Sequence, residues 1–330
     1  MKKILAIIGT RPNIIKMSKD APMKICWTGQ HYDSVMKDVF FRGLKIRKPD
    51  YDIHAKTLGQ MIDRSLAVIE QENPEFVFVV GDTNSSLAGA IAANQKHVPI
   101  IHLEAGCRSF DNDQIEERNR LQIDSMVTVF LCPSEKAKEN LEREGKRFAV
   151  FNVGAAQLDS VFSTFPTKPP KNAGKYRLLT LHRQSNVDQP NVLKSIIEAL
   201  GSTGERFIFP IHPRTAKNIK RFKITIPETI NVVDPMPYKK MIHTLAYAKQ
   251  LVTDSGGLQV EAYFLRVPCV TIRNSTEWTE TVDEGWNKLA SVSTVADTVE
   301  TFLPKKFQHN GMVYGKGGSW DYINRILNHL

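Results

Sequence analysis

The sequence predicts an α/β protein built of two parallel-sheet domains, and three observations carry that prediction. Short apolar, β-branched runs alternate with amphipathic stretches, the pattern of repeated βαβ units. The runs are continuous rather than alternating, as in strands buried on both faces. The alternation halts once, at 163–175 (STFPTKPPKNAGK), where three prolines without periodicity mark a linker. At 330 residues and about 150 residues per domain, the length fits two domains, 1–164 and 165–330.

Strands are predicted in the first half at 4–8, 76–80, 99–103 and 127–132, with helices over 84–94 and 134–143. After the linker the strands fall at 178–181, 207–210, 231–233, 251–253 and 269–272. Helical patterns lie between them near 192–200, 239–249 and 258–265. Two such domains around a proline-rich hinge imply a cleft between the carboxyl ends of both sheets, where open α/β sheets bind ligands. Strand-end motifs therefore matter most.

Composition excludes several classes. With 42% hydrophobic and 24% charged residues, the chain is not of the disordered type. No run approaches the ~18 apolar residues of a membrane span, and the apolar N-terminal run is too short for a signal peptide. Cys26, Cys107, Cys132 and Cys269 lie far apart without a C-x-x-C pair, which suggests neither a disulfide framework nor a metal site and points to a reducing cytoplasm. The net charge of +9 raises nucleic acid as a partner. The excess sits mostly at Arg214, Lys217, Lys220, Arg221 and Lys223, a short run typical of a solvated helix face, with no interleaved aromatics to support nucleic acid; the charge alone does not choose between a phosphate-bearing small molecule and no partner.

The first strand turns into a helix at Gly9-Thr10-Arg11-Pro12-Asn13-Ile14-Ile15-Lys16, where bare N–H groups, Arg11 and Lys16 suit an anion. Asp82 follows the second strand and Glu104 the third; Glu116 and Arg120 share a helix face at i,i+4, the spacing of a surface salt bridge. Taken together, Asp82, Glu104 and Glu116 converging on one cleft suit proton abstraction and donation, because crowded carboxylates push their pKa values apart. In the second half, His182-Arg183 and His212-Pro213-Arg214 follow strands. Thr253-Asp254-Ser255-Gly256-Gly257 then places two glycines before a helix, with Ser255 as a donor, for a diphosphate. Glu261, one turn along, is positioned for ribose hydroxyls.

With these residues in place, the chain resembles the non-hydrolysing UDP-N-acetylglucosamine 2-epimerase family. The motifs that carry the resemblance are GTRPNIIKM, TGQHYD, GDTNSSLAGA, HLEAGCRS, EERNR, LTLHR, IHPRT, DSGGLQVEA and YGKGGS, in order along nearly the whole chain. The resemblance implies two Rossmann-like domains in the GT-B arrangement, with a C-terminal helix (320–327) crossing back onto the first domain. It implies a UDP-sugar substrate, no cofactor or metal, a homodimer, and inversion at sugar C2 by elimination and re-addition of UDP. By motif match, Asp82, Glu104, Glu116 and His182 are catalytic. Arg11, Lys16, Arg120, Arg183, His212, Ser255, Gly256, Gly257, Glu261 and Arg273 bind substrate. Gln30, His31, Arg64 and His212 match allosteric contacts. Ile115 stands where many members have proline, and Val260 replaces one of an acidic pair. The stretches around Trp278 and Trp286 are similar to the branch acting on UDP-2,3-diacetamido-2,3-dideoxyglucuronate.

Overall fold

The computed structural model describes residues 2–30, 41–165, 168–304 and 312–330. It divides into two units, one of Met1–Ser163 with Val313–Leu330 and one of Thr164–Met312. Residues 313–330 are thus counted with the first unit.

The first unit runs β1 (Ile4–Ile8), α1 (Arg11–Lys16), β2 (Lys24–Trp27), β3 (Tyr51–Asp52), α2 (Leu58–Glu72), β4 (Phe76–Val80) and α3 (Asn84–Gln95). It continues through β5 (Ile100–Leu103), α4 (Ile115–Met126), β6 (Val129–Cys132), α5 (Glu135–Arg143) and β7 (Val150–Asn152) to α6 (Gln157–Thr164). Its seven strands, all parallel, lie in the order β3-β2-β1-β4-β5-β6-β7. All five residues of β1 and four of the five in β4 are buried, because helices cover both faces. The core on one side joins Leu5, Ile7, Val77 and Val79 to Leu87, Ala90 and Ala93 of α3. That helix is rich in Ala, Ser and Gly, and it approaches the sheet so closely that a methyl group on Gly89 would sit 2.9 Å from Ile7 Cβ.

The second unit holds β8 (Arg177–Thr180), α7 (Gln184–Val187), α8 (Pro190–Ser202), β9 (Phe207–Pro210), α9 (Pro213–Phe222), β10 (Ile230–Val233) and α10 (Tyr238–Ala246). Then follow β11 (Gln250–Thr253), α11 (Gly256–Phe264), β12 (Cys269–Ile272), α12 (Thr279–Asp283), β13 (Asn287–Ala290) and α13 (Val295–Thr301). Its six parallel strands take the order β10-β9-β8-β11-β12-β13. Both sheets are therefore doubly wound, and the strand order reverses beside β1 in one and beside β8 in the other. Loops that leave the sheet at such a reversal splay apart and open a crevice at the carboxyl ends. Around the predicted linker, α6 extends to Thr164, and 168–175 forms only turns and irregular backbone.

The C-terminal helix, α14 (Ser319–His329), is two residues longer at its end and one at its start than the resemblance implies. Its start is held by Asp159 of α6, whose carboxylate accepts from the backbone N–H groups of Gly318, Ser319 and Trp320 at 2.6, 3.2 and 2.9 Å. Trp320 is buried, lies 5.9 Å from the Phe78 ring, and donates its indole N–H to the Lys16 carbonyl at 2.8 Å. No helix among the described residues is long and apolar enough to cross a membrane.

Gly9, between β1 and α1, has no room for a side chain: an added Cβ would lie 1.9 Å from Thr28 Oγ1 and 2.1 Å from Ser85 Oγ. Gly9→Ala is expected to lower stability by about 1–3 kcal/mol through overpacking. Gly59→Ala, in exposed α2 with nothing within 4 Å of the new methyl, is expected to raise it by about 1 kcal/mol. Denaturant unfolding of both variants measures the contrast.

Candidate functional site

In the first unit the polar residues gather where β1, β4 and β5 end. The turn after β1 is fastened by Asn13, whose side-chain oxygen accepts from the N–H groups of Gly9 (3.1 Å) and Thr10 (3.0 Å). Its amide donates to the Val80 carbonyl at 2.8 Å, tying the ends of β1 and β4 together. Arg11 opens α1 and Lys16 closes it. Lys16 is buried and forms an ion pair with Glu104, from the turn after β5. Glu104 holds φ = +75°, a left-handed conformation that non-glycine residues seldom adopt and that costs on the order of 1–3 kcal/mol. Gly81, also left-handed, lies beneath the pair, so that an added Cβ would be 3.3 Å from Lys16 Nζ and 3.6 Å from a Glu104 carboxylate oxygen.

Asp82 follows directly. Its carboxylate accepts from Arg120 Nη2 at 2.5 Å, and its carbonyl accepts from Asn119 at 2.8 Å. Arg120 is buried and reaches with Nη1 to Glu117 at 2.5 Å. Glu117 in turn accepts from Ser109 N–H and hydroxyl (both 2.9 Å) and from Phe110 N–H (3.0 Å). The i,i+4 spacing of Glu116 and Arg120 suggests a surface pair, but Arg120 instead turns inward to Glu117 at i+3 and to Asp82. Glu116 sits half-buried in the first turn of α4.

Burial pushes the Glu104 carboxyl above the usual carboxylate range, and nearby Asp82 adds to this against the pull of Lys16. Burial alone would lower the Lys16 ammonium, but Glu104 and Asp82 outweigh it and hold it above its ordinary value. A carboxyl raised in this way holds a proton more readily than an ordinary one, the property a general acid or base draws on.

The second unit assembles its site on Asp254, which follows β11 and is fully buried. Its carboxylate accepts from the backbone N–H of His182 (3.0 Å to each oxygen) and Arg183 (2.9 Å), and from the Asn186 side chain (3.2 Å). The partly exposed His182 ring places Nδ1 3.2 Å from Asp254 and lies 5.7 Å from the His212 ring. Gly256 and Gly257 are not a loop before the helix, as the spacing suggests, but the first turn of α11, because Ser255 takes the N-cap position. Their N–H groups still lack intrahelical partners, the property an anion needs. An added Cβ at Gly257 meets nothing within 4 Å, whereas one at Gly256 would lie 2.5 Å from Glu277. Glu277 is itself paired with Arg273 at 2.9 Å. Glu261 is buried and accepts from the Tyr238 hydroxyl at 2.8 Å.

Of the expected allosteric contacts, Gln30 accepts from Ser85 N–H at 3.0 Å and Arg64 donates to the carbonyls of Ile53 and His54 at 2.5 and 2.9 Å. His212 caps α9, accepting from Arg214 N–H at 3.2 Å. His31 lies outside the described residues. Sequence reasoning missed Glu117 and Asp254 as parts of these sites. Asp254 had a legible signal, an acidic residue directly after a buried strand; Glu117 had none that separated it from Glu116. No group of three or more His, Cys, Asp or Glu among the described residues could hold a metal ion.

A sequence model described as UDP-N-acetylglucosamine 2-epimerase matches residues 13–328. A UDP-2,3-diacetamido-2,3-dideoxy-D-glucuronate 2-epimerase of Pseudomonas aeruginosa is 42% identical, over 98% of this chain and 99% of that protein. A UDP-N-acetylglucosamine 2-epimerase of Methanococcus maripaludis is 36% identical, over 99% of this chain and 98% of its own length. Among solved structures, the UDP-GlcNAc 2-epimerase of Methanocaldococcus jannaschii in complex with UDP-GlcNAc and UDP superposes with a TM-score of 0.91. It is 35% identical and covers 99% of this chain and 100% of its own. The α/β class with two Rossmann-like domains, the GT-B fold class, is thereby shown.

Asp124 of α4 is buried against His102 of β5 and Arg108, and this cluster governs acid stability. Burial alone would raise the Asp124 carboxyl, but His102 and Arg108 outweigh it and hold it below the usual range. Its stabilisation is therefore complete above about pH 4, the ordinary aspartate value, and is lost as pH falls through the depressed folded value. Asp124→Asn is expected to cost about 3–5 kcal/mol at pH 7, with the deficit shrinking below about pH 4. Urea unfolding across that range measures it.

Proposed function

The chain belongs to the UDP-N-acetylglucosamine 2-epimerase family, and from that premise we propose that it interconverts UDP-GlcNAc and UDP-ManNAc. The observation that carries the reading is the meeting of Asp82 and Glu104 beside two buried cations, Lys16 and Arg120, at the strand reversal of the first sheet. The C2 proton of the sugar is not adjacent to a carbonyl, so its removal must be coupled to loss of a good leaving group. A carboxylate takes the proton and the C2–H electrons become the C1=C2 double bond. As that bond forms the C1–O bond breaks, with its electron pair leaving on UDP. Re-addition of UDP with protonation of the opposite face at C2 gives the epimer. The reaction is redox-neutral, and its proton transfers need only acids and bases.

In this reading Asp82, Glu104 and Glu116 exchange protons with C2. Arg120 holds Asp82 in place from beneath. Negative charge accumulating on the departing diphosphate is met by Arg11, Lys16, Arg183, His182, His212, Arg273, Ser255 and the N–H groups of Gly256 and Gly257. Glu261, oriented by Tyr238, takes the ribose hydroxyls. Four buried free cysteines support a cytoplasmic setting, and the family resemblance supports a homodimer, for which sedimentation equilibrium should return twice 37.3 kDa.

In deuterated water, NMR of either UDP-sugar is expected to show both epimers with deuterium at C2. The 42% identity to the P. aeruginosa enzyme makes UDP-2,3-diacetamido-2,3-dideoxyglucuronate the second substrate to assay, and faster exchange there would reassign the sugar. Transfer to an added acceptor with no exchange at C2 would instead identify a glycosyltransferase. The limb of the pH–rate profile that reports Glu104 should lie above the ordinary carboxylate value of about 4.3. Lys16→Met, which removes the cation that pulls Glu104 down, should move that limb to higher pH.

A further inference from the structure

His102, in β5 two residues before Glu104, is fully buried, and the reading above gives it no role. Its Nδ1 lies 2.7 Å from Asp124 Oδ1 and its Nε2 lies 2.9 Å from the Gly81 carbonyl oxygen. Both partners are acceptors. A neutral imidazole carries one N–H and would set a lone pair against one of these oxygens, whereas a proton on each nitrogen satisfies both. The surroundings balance such a cation. Asp124, from α4, also accepts from Arg108 Nη2 at 2.7 Å and from Gly106 N–H at 3.1 Å. Arg108 forks onto Glu144 with two bonds of 2.8 Å. The result is a row of alternating charge, His102, Asp124, Arg108, Glu144, beside the Cys132 thiol and next to the Lys16–Glu104 pair.

The row grips the backbone at the points that aim the acid–base groups. Gly81, held through its carbonyl, immediately precedes Asp82. His102 and Gly106, both held by Asp124, bracket Glu104 two residues away on either side. Glu104 needs such fixing, since its left-handed backbone persists only where the surroundings over-determine it. We propose that His102 is a positioning residue, a buried imidazolium strut that sets the spacing between Asp82 and Glu104. This rests on the assignment of those two carboxylates to proton transfer at C2.

The test has two arms. The first is ¹⁵N NMR of the wild-type protein labelled at histidine, with the His102 signals identified by their absence in His102→Gln. At pH 7 both ring nitrogens are expected to show a one-bond coupling to hydrogen. A single protonated nitrogen overturns the proposal whether or not the enzyme is an epimerase; where His102→Gln fails to fold, single substitution of each of the other eight histidines assigns the His102 signals by elimination. The second arm is kinetic, with His102→Gln and His102→Asn, each of which has one donor nitrogen in place of the two that face Asp124 and Gly81. Folded variants are expected to lose about 100-fold in kcat, the scale of a misplaced reacting group, with KM within a factor of about three of wild type. An unchanged kcat, or a loss borne by KM alone, overturns the proposal. Absence of C2 exchange in the wild-type enzyme would defeat the epimerase reading instead, and the NMR arm separates the two failures.

Discussion

Lys16 and Glu104 face each other with less than a tenth of either exposed, and much of the first unit can be understood as what such a pair requires. Removing two charges from water costs several kcal/mol per ion, and their attraction offsets this only when geometry is tightly fixed. Here the fixing comes from every side. Asn13 fastens the turn that starts α1, Trp320 and Ser160 hold the carbonyls at its end, and Gly81 leaves space beneath. Asp82 lies close enough to raise both partners, so the pair is electrostatically continuous with the Asp82–Arg120–Glu117 chain.

The second unit meets a similar need by other means. The Asp254 carboxylate is held by two backbone N–H groups and an asparagine amide. Backbone donors cannot be displaced by a rotamer change, so the His182–Arg183 turn is fixed with respect to the β11 end. Behind α11, Gln259 accepts from Thr276 and Asn287, and Asn287 reaches Thr281, filling the interior with neutral hydrogen bonds. One unit thus concentrates charge, and the other presents bare N–H groups at a helix start.

Much of this was legible in sequence because parallel strands buried on both faces leave a simple trace. The runs at 76–80, 207–210 and 269–272 coincide with β4, β9 and β12, and the residues after them had to carry the polar chemistry. Short or half-exposed elements left no such trace: β3 has two residues and β7 three, too few for periodicity. Side-chain choice was harder still. Glu116 and Glu117 are neighbours with the same chemistry, and only the packing of α4 shows which of them turns in to Arg120. The role of Gly9 was legible as a turn, but the Thr28 and Ser85 hydroxyls that forbid a methyl there come from distant segments.

The contact between Trp320 and the Lys16 carbonyl spans 304 residues of chain, and this bears on how the protein is made. The first unit emerges from the ribosome early, yet the helix that completes it is synthesised only after the whole second unit. Until then Phe78 lacks the indole packed beside it, and α1, only six residues long, is too short to persist alone. Contacts this remote in sequence close slowly. The nascent chain therefore carries an unfinished, partly apolar first unit throughout synthesis of the second, the interval in which chaperone binding or aggregation competes with folding.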